Sequence, residues 1–283
     1  MPSQTAHRII DVDNQETLPK KFRMTTTPIP PGTEEPPNLS GLAELRASGS
    51  GQFSHNGLRL IRKAIGPGPL TVVDLRQESH GFVNGMAVSW YGEHNGCNKG
   101  LTHEDVCAEE RRLLDEAGQA PELVFDRLPN KSVDLDAALT GPRKVQTEEE
   151  LVLSEGAGYI RFFVTDHHRP LDGEVDRFIR YVNGLPAGMW LHFHCRGGVG
   201  RTTSFMLMYD MLRNAKEVER DDLLRRHVLI GGKDVGRTDP QDQYKYEPAL
   251  ERLAFIHRFY DYCAGNRDGY ATTWSEWLAA EGK

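Results

Sequence analysis

His194-Cys195-Arg196-Gly197-Gly198-Val199-Gly200-Arg201-Thr202 stands between two apolar stretches, Met189–Phe193 and Thr202–Leu212. The first has the length of a buried strand and the second that of a helix, so the quoted residues make a strand-to-helix turn. Cys195 and Arg201 bracket five residues, three of them glycine. Glycines let backbone N–H groups converge on an anion. The following helix turns its positive end to the same point. A planar guanidinium can grip two phosphate oxygens at once. A cysteine in that field favours the nucleophilic thiolate, and Thr202 can donate its hydroxyl to the sulfur. The pattern predicts thiolate attack on phosphorus and a phosphocysteine intermediate.

Other uses of the segment fit less well. An inert buried cysteine would leave the glycines and Arg201 without purpose. His192, His194 and Cys195 could bind zinc, but no second ligand pair stands at zinc spacing. Neither G-x-x-x-x-G-K-[ST] nor G-x-G-x-x-G occurs, which argues against a nucleotide loop.

A phosphatase of this kind must protonate the leaving oxygen. Asp166, in Thr165-Asp166-His167-His168-Arg169-Pro170, follows the strand Tyr159–Val164 and precedes Cys195 by one helix and one strand. In a parallel sheet that crossover brings both loops to the carboxyl ends of the strands, where ligands bind. The competing role for Asp166 is to cap the helix Leu171–Val182, for which Asp172 is better placed. In that helix Val175, Phe178, Ile179 and Val182 recur at i, i+3, i+4 and i+7.

Further out, Leu70–Leu75 reads as a buried strand and Gln77–Asn84 as a polar loop. Thr102–Ala117 reads as a helix capped through Thr102 and Asp105. Gly231–Tyr246 is polar and glycine-containing. Glu247–Tyr262 reads as a helix opened by Pro248, and Thr272–Ala280 as a short terminal one. Residues 1–40 read as an arm, with five prolines between Thr25 and Pro37, and 41–283 as the main domain. Residues 90–150, rich in Gly, Asn and charge, read as an insertion with some β content. Alternating strands and helices imply an α/β domain.

The chain has 283 residues, 38% hydrophobic and 27% charged, with 34 basic and 41 acidic side chains and a net charge of −7. That argues against a nucleic-acid coat but not against an anionic small molecule. No stretch approaches the roughly 18 apolar residues of a membrane span. The first 30 residues show no apolar signal-peptide core. Four cysteines, Cys97, Cys107, Cys195 and Cys263, are too few for a disulfide scaffold, although a Cys97–Cys107 bridge stays open.

These residues resemble the protein-tyrosine-phosphatase superfamily, and within it the protein-tyrosine-phosphatase-like myo-inositol phosphatases, the bacterial cysteine phytases. The resemblance rests on four segments. They are the loop H-C-x-x-G-V-G-R-T, Val73-Asp74-Leu75-Arg76-Gln77-Glu78-Ser79-His80-Gly81, Val164-Thr165-Asp166-His167, and Leu18-Pro19-Lys20-Lys21-Phe22-Arg23. It implies a cysteine-phosphatase fold: a central, mostly parallel twisted sheet flanked by helices, with a small β-rich inserted subdomain. Cys195 becomes the nucleophile, Arg201 the phosphate clamp and Asp166 the acid, with His194 and Thr202 tuning the thiolate. Gly197, Gly198, Val199 and Gly200 line the cradle. Arg23, Asp74, His80 and His167 match pocket-lining positions, and Lys245 more loosely. Arg196-Gly197 departs from the Glu-Ala usual there and adds a positive charge at the rim.

Arg23, Arg76, His80, His167, His168, Arg169, Arg196 and Lys245 make a basic group in an acidic protein, a funnel for a polyanion. Arg76 and Arg169 have structural alternatives. The resulting expectation is stepwise hydrolysis of inositol polyphosphates by a monomer or homodimer. It needs no cofactor or metal, because Arg201, the amides and the helix end supply the positive charge. The resemblance favours an exported or periplasmic protein; with no signal visible, a cytoplasmic one stays open. Phosphotyrosine or phosphoinositides are the alternative substrates, with Phe82, Trp90 and Tyr91 as available aromatics. A phosphate-binding pseudoenzyme is disfavoured because nucleophile, clamp and acid are all present.

Overall fold

A computed structural model describes residues 6–29, 35–133 and 138–282. At its centre Leu70–Asp74 lies between Gly158–Arg161 and Trp190–His194, and Ala47–Ser50 follows on the far side of Trp190–His194. These four strands are parallel; Arg23–Met24 closes the edge antiparallel to Ala47–Ser50. The sheet is thus mostly parallel, as expected. Its helices lie on both faces. Val73, Leu191 and Phe193 pack with Val175, Phe178, Phe205 and Phe259 on one face. Leu70, Val72 and Trp190 pack with Leu58, Ile61, Leu151 and Val152 on the other. Each central strand is therefore apolar on both sides, the pattern of a buried parallel sheet.

A second, antiparallel sheet runs in the order His7–Val12, Met86–Tyr91, His80–Val83, Val145–Gln146. It carries its own core of Ile10, Val83, Val88, Trp90, Leu114 and Leu123. This β-rich unit begins before residue 90, since His7–Val12 and His80–Val83 belong to it. The arm supplies its edge strand, with His7 opposite Tyr91. The segment read as a polar loop, Gln77–Asn84, holds the strand His80–Val83. Its polar side chains disguise it, because they are buried against polar partners: Gln77 against Thr165, Ser79 against Asn98, and His80 against Asp74 and Glu148.

The helix at His103–Gln119 is capped by Thr102, whose side chain accepts from the Asp105 amide. The helix Asp172–Asn183 has Leu171 at its cap and no side-chain capping bond. Asp172 instead accepts from Arg169 and Trp274. The long helix Gln243–Gly265 begins inside the expected polar stretch, because Asp242 caps it by accepting from the Lys245 amide. Pro248 lies inside it, not at its first turn. Ala47–Ser50, His55–Ile65 and Arg220–Leu229 carried no signal that was read. Part of the proline-rich stretch Thr25–Pro37 lies outside the described residues. All four cysteines are free thiols. Among the described residues no helix is long and apolar enough to cross a membrane.

Candidate active site

Side chains of a strand alternate between the two faces of a sheet. Trp190, His192 and His194 therefore point one way, and Leu191, Phe193 and Cys195 the other. That sets Cys195, 3% exposed, in the core beneath the helix face, at the start of the helix Gly200–Asn214. Its sulfur receives the Gly198 amide and the Thr202 hydroxyl, each at 3.2 Å. The loop rests on the end of Ala47–Ser50: the Gln52 amide donates to the Arg196 carbonyl at 3.1 Å. Gly198 has φ +70°, and a Cβ there would lie 2.3 Å from the Gly51 nitrogen. Glycine is required at that point.

Arg201 is 2% exposed, and its Nε has no hydrogen-bond partner among the described residues. Its two terminal nitrogens donate to both oxygens of Glu78 at 2.7 and 2.9 Å, and one also donates to the Leu75 and Val164 carbonyls. Asp166 Oδ1 stands 3.2 Å from the same guanidinium. Burial is the largest influence and raises the pKa of the Asp166 carboxyl, but Arg201, His167 and the Asn95 hydrogen bond together hold it below its ordinary value. Glu78 also accepts from Arg76, which reaches on to Asp11 at 3.0 Å. Burial opposes ionisation of Glu78 as well, and Arg201 and Arg76 overcome it. Glu78 sits inside one of the quoted segments, yet its role was not read. A buried acid between two arginines becomes visible only once Arg76 and Arg201 are neighbours in space.

Arg23 is buried behind the loop. It donates to the Gly198 carbonyl at 2.9 Å and to Thr203 Oγ1 at 3.1 Å. Burial lowers its pKa to about 10 while the Cys195 charge opposes the fall. The structure makes it a brace of the cradle. Arg252, not singled out in the sequence, also couples to the Cys195 charge and donates to the His167 carbonyl at 2.9 Å.

Asp74 and His80 were expected to line the pocket. Both are buried, at 0% and 1% exposure. The in-register pairing of His194 with Asp74 puts them on one face, where Glu148 meets His194 Nε2 at 2.5 Å. Asp74 accepts from the Arg76 amide and Tyr159 Oη and pairs with Arg161 at 3.1 Å. His80 lies 3.3 Å from Asp74 and 3.5 Å from Glu148. Burial is the largest influence and disfavours its charge, but Asp74 and Glu110 together prevail and raise its pKa to about 10. These residues form an ionic layer beneath the loop, because charges inside a core persist only when paired.

Asp74, His80 and Glu148 do bring donor atoms within 4.8 Å of one another. The carboxylates are already committed to Arg161, Tyr159, Gln52 and His194. The group does not fit a metal.

Arg196 turns away from the cradle. It pairs with Asp11 at 2.7 Å, reaches the Lys131 carbonyl, and lies 4.9 Å above the Tyr91 ring. Its charge is spent on the arm and the second sheet instead of forming a free rim. Phe82 and Trp90 are core residues, so two of the three candidate aromatics do not face the site. Arg169 pairs with Asp172, and His168 with the Asp166 carbonyl.

The open cationic surface lies on the acid's side. A cleft of about 500 Å³ is lined by His167, Lys233, Arg237, Lys245 and Arg252, with Asp239 and Asp242 beside them, and Lys245 pairs with Asp242 at 2.6 Å. His167 and Lys245 were anticipated; Lys233, Arg237 and Arg252 were not. Burial and then the neighbouring Arg252 and Lys245 depress the Lys233 pKa, as expected where like charges line one cleft.

A cysteine on a strand-to-helix loop at the carboxyl edge of a parallel sheet, with arginine and aspartate converging on it, defines the cysteine-phosphatase class of α/β proteins. Within that class the chain belongs to the PTP-like phytase family. The family model described as "Inositol hexakisphosphate" matches residues 73–213. A PTP-like phytase of Bdellovibrio bacteriovorus is 34% identical, with TM-score 0.77 over 99% of this chain and 96% of that one. The PTP-like myo-inositol phosphatase of Mitsuokella multacida, solved in complex with myo-inositol-(1,3,4,5)-tetrakisphosphate, is also 34% identical. Its TM-score is 0.88 over 99% of this chain and 50% of that one. Effector protein hopD2 of Pseudomonas syringae pv. tomato is 32% identical over 98% of this chain and 61% of its own length. The chain thus spans half of the Mitsuokella protein and about three fifths of the effector.

Proposed function

We propose that the chain is a phosphoric monoester hydrolase that removes phosphate stepwise from inositol polyphosphates. The observation that carries this reading is the convergence on one loop of Cys195, Arg201 and Asp166. Cys195 Sγ attacks phosphorus and the P–O bond to the leaving group breaks. Asp166, in its protonated form, gives that oxygen its proton. Arg201 and the loop amides hold the phosphoryl oxygens as charge shifts among them. Water then attacks the phosphocysteine, Asp166 takes its proton, and the thiolate leaves toward the Thr202 hydroxyl. The cationic cleft beside Asp166 supports a ligand with several phosphates, and the Mitsuokella complex supports an inositol ring as their carrier.

Phosphate release from inositol hexakisphosphate and from a phosphotyrosyl peptide tests the reading, with Cys195→Ser as control. The variant should bind inositol hexakisphosphate and release none. Unchanged turnover in Cys195→Ser would sink the mechanism, and a clear preference for the peptide would sink the substrate. Phosphotyrosine is the second reading, favoured by one feature. Tyr244 lies flat on His94 at 3.5 Å and edge-on to His167 at 5.8 Å, an aromatic wall beside the acid.

A further inference from the structure

Asp166 reaches the site with its two oxygens in unlike settings. Oδ1 faces Arg201 at 3.2 Å and accepts from the His167 amide at 2.9 Å. Oδ2 accepts from Asn95 Nδ2 at 3.1 Å, and His167 Nε2 stands off at 3.8 Å. Asn95 belongs to the second sheet's side of the molecule, in the turn Glu93–Asn95 just after Met86–Tyr91. It is 3% exposed, and its own Oδ1 has no hydrogen-bond partner among the described residues. The buried amide therefore spends its side-chain bond on the acid.

The turn is built to deliver it. His94 and Asn95 both have positive φ, 51° and 61°. Two successive non-glycine residues in that region cost about 1–2 kcal/mol each, so the surroundings must hold them there. They do so from three directions. The His94 ring is stacked on Tyr244 of the helix Gln243–Gly265. The Asn95 amide donates to the Gly92 carbonyl at 2.9 Å. Asn98 donates to the Gln77 carbonyl and to Ser79, tying the far end of the turn to the connection between Leu70–Asp74 and His80–Val83.

We propose that Asn95 is a positioning residue for the proton-transfer step: it aims Asp166 Oδ2 at the leaving-group oxygen. The proposal rests on Asp166 being the general acid. Oδ1 is committed to Arg201, so Oδ2 is the oxygen left to carry the proton. Without Asn95 that oxygen would be free to turn about the Cβ–Cγ bond. The second sheet then acts on catalysis through one amide, by aiming the acid.

The test compares formation of the phosphocysteine by the parent chain, Asn95→Ala and Asp166→Asn on aryl and alkyl phosphates of graded leaving-group pKa. An activated leaving group such as dinitrophenolate needs little protonation; an alkoxide needs it fully. Asp166→Asn should lose progressively more rate as the leaving group worsens, reaching roughly 10²–10⁴-fold with alkyl phosphates, the range of general acid catalysis. Asn95→Ala should show a smaller loss that also grows as the leaving group worsens, about a tenth of the Asp166→Asn loss or less with alkyl phosphates, with its melting temperature near the parent's. A uniform loss across all leaving groups in Asn95→Ala, beside a steep slope in Asp166→Asn, overturns the proposal and leaves the acid assignment standing. A flat response in Asp166→Asn overturns both. Asn95→Asp provides a second reading if the alanine variant is unstable: it keeps the shape but faces Asp166 with a like charge. It should raise the pKa on the alkaline limb of kcat; an unmoved limb counts against the contact.

Discussion

Replacing Gly198 by alanine should disable the cradle without touching any charged group. The added Cβ would lie 2.3 Å from the Gly51 nitrogen, 2.5 Å from the Ser50 carbonyl carbon and 2.8 Å from its oxygen. All three are backbone atoms of a central strand and its first loop residue, so no rotamer change relieves the clash. Ordinary contact begins near 3.4 Å, so the loop must withdraw by about 1 Å. The φ of +70° adds about 1 kcal/mol for an L-residue. Withdrawal draws the Gly198 amide off the sulfur, where it now sits at 3.2 Å, and loosens the Arg23 bond to the Gly198 carbonyl. A misplacement of about 1 Å at a reacting centre is worth roughly 100-fold in rate. The assay is kcat/KM for phosphate release, read with the rate of Cys195 alkylation by iodoacetamide and the melting temperature. Gly197→Ala is the internal comparison: nothing lies within 4 Å of the Cβ it would add, so it should lose far less. If Gly198→Ala keeps parental kcat/KM and alkylation rate, the close approach of loop and strand does not set the cradle's geometry.

Glu78→Gln should leave Arg76 and Arg201 buried side by side without their shared carboxylate, at a cost of roughly 3–5 kcal/mol. The melting temperature should fall by roughly 10 °C and vanadate, a phosphate analogue, should bind more weakly; a stable variant with parental affinity would show that Glu78 does not position Arg201. The His80 pKa of about 10 gives stability a defined alkaline limb. The folded state holds that proton more tightly, so its contribution is complete below about pH 6.5 and is lost as pH climbs to about 10. Thermal melts across that window should decline, less so for His80→Gln; equal slopes would place the titration elsewhere.

The proposed nucleophile and clamp, which share one short stretch, were legible from the chain alone. Cys195, Arg201 and Thr202 sit on one turn, and backbone periodicity sets where they point. Asp166 was legible because one helix and one strand carry it to the same sheet edge. Local spacing could not decide what surrounds them. His80 and Asp74 look like ligand-binding groups until the pairing of Trp190–His194 with Leu70–Asp74 buries them with Glu148. Arg196 looks like a free charge at the rim until the first strand of the chain brings Asp11 beneath it. Glu78, Asn95, Arg252 and Lys233 gave no signal, because each acts on a partner far away in sequence. The proposed nucleophile, clamp and acid are read from the sequence by itself. Which charges face a ligand and which hold the loop is decided only by the tertiary structure, because the worth of a charge depends on the partners and solvent the fold leaves it.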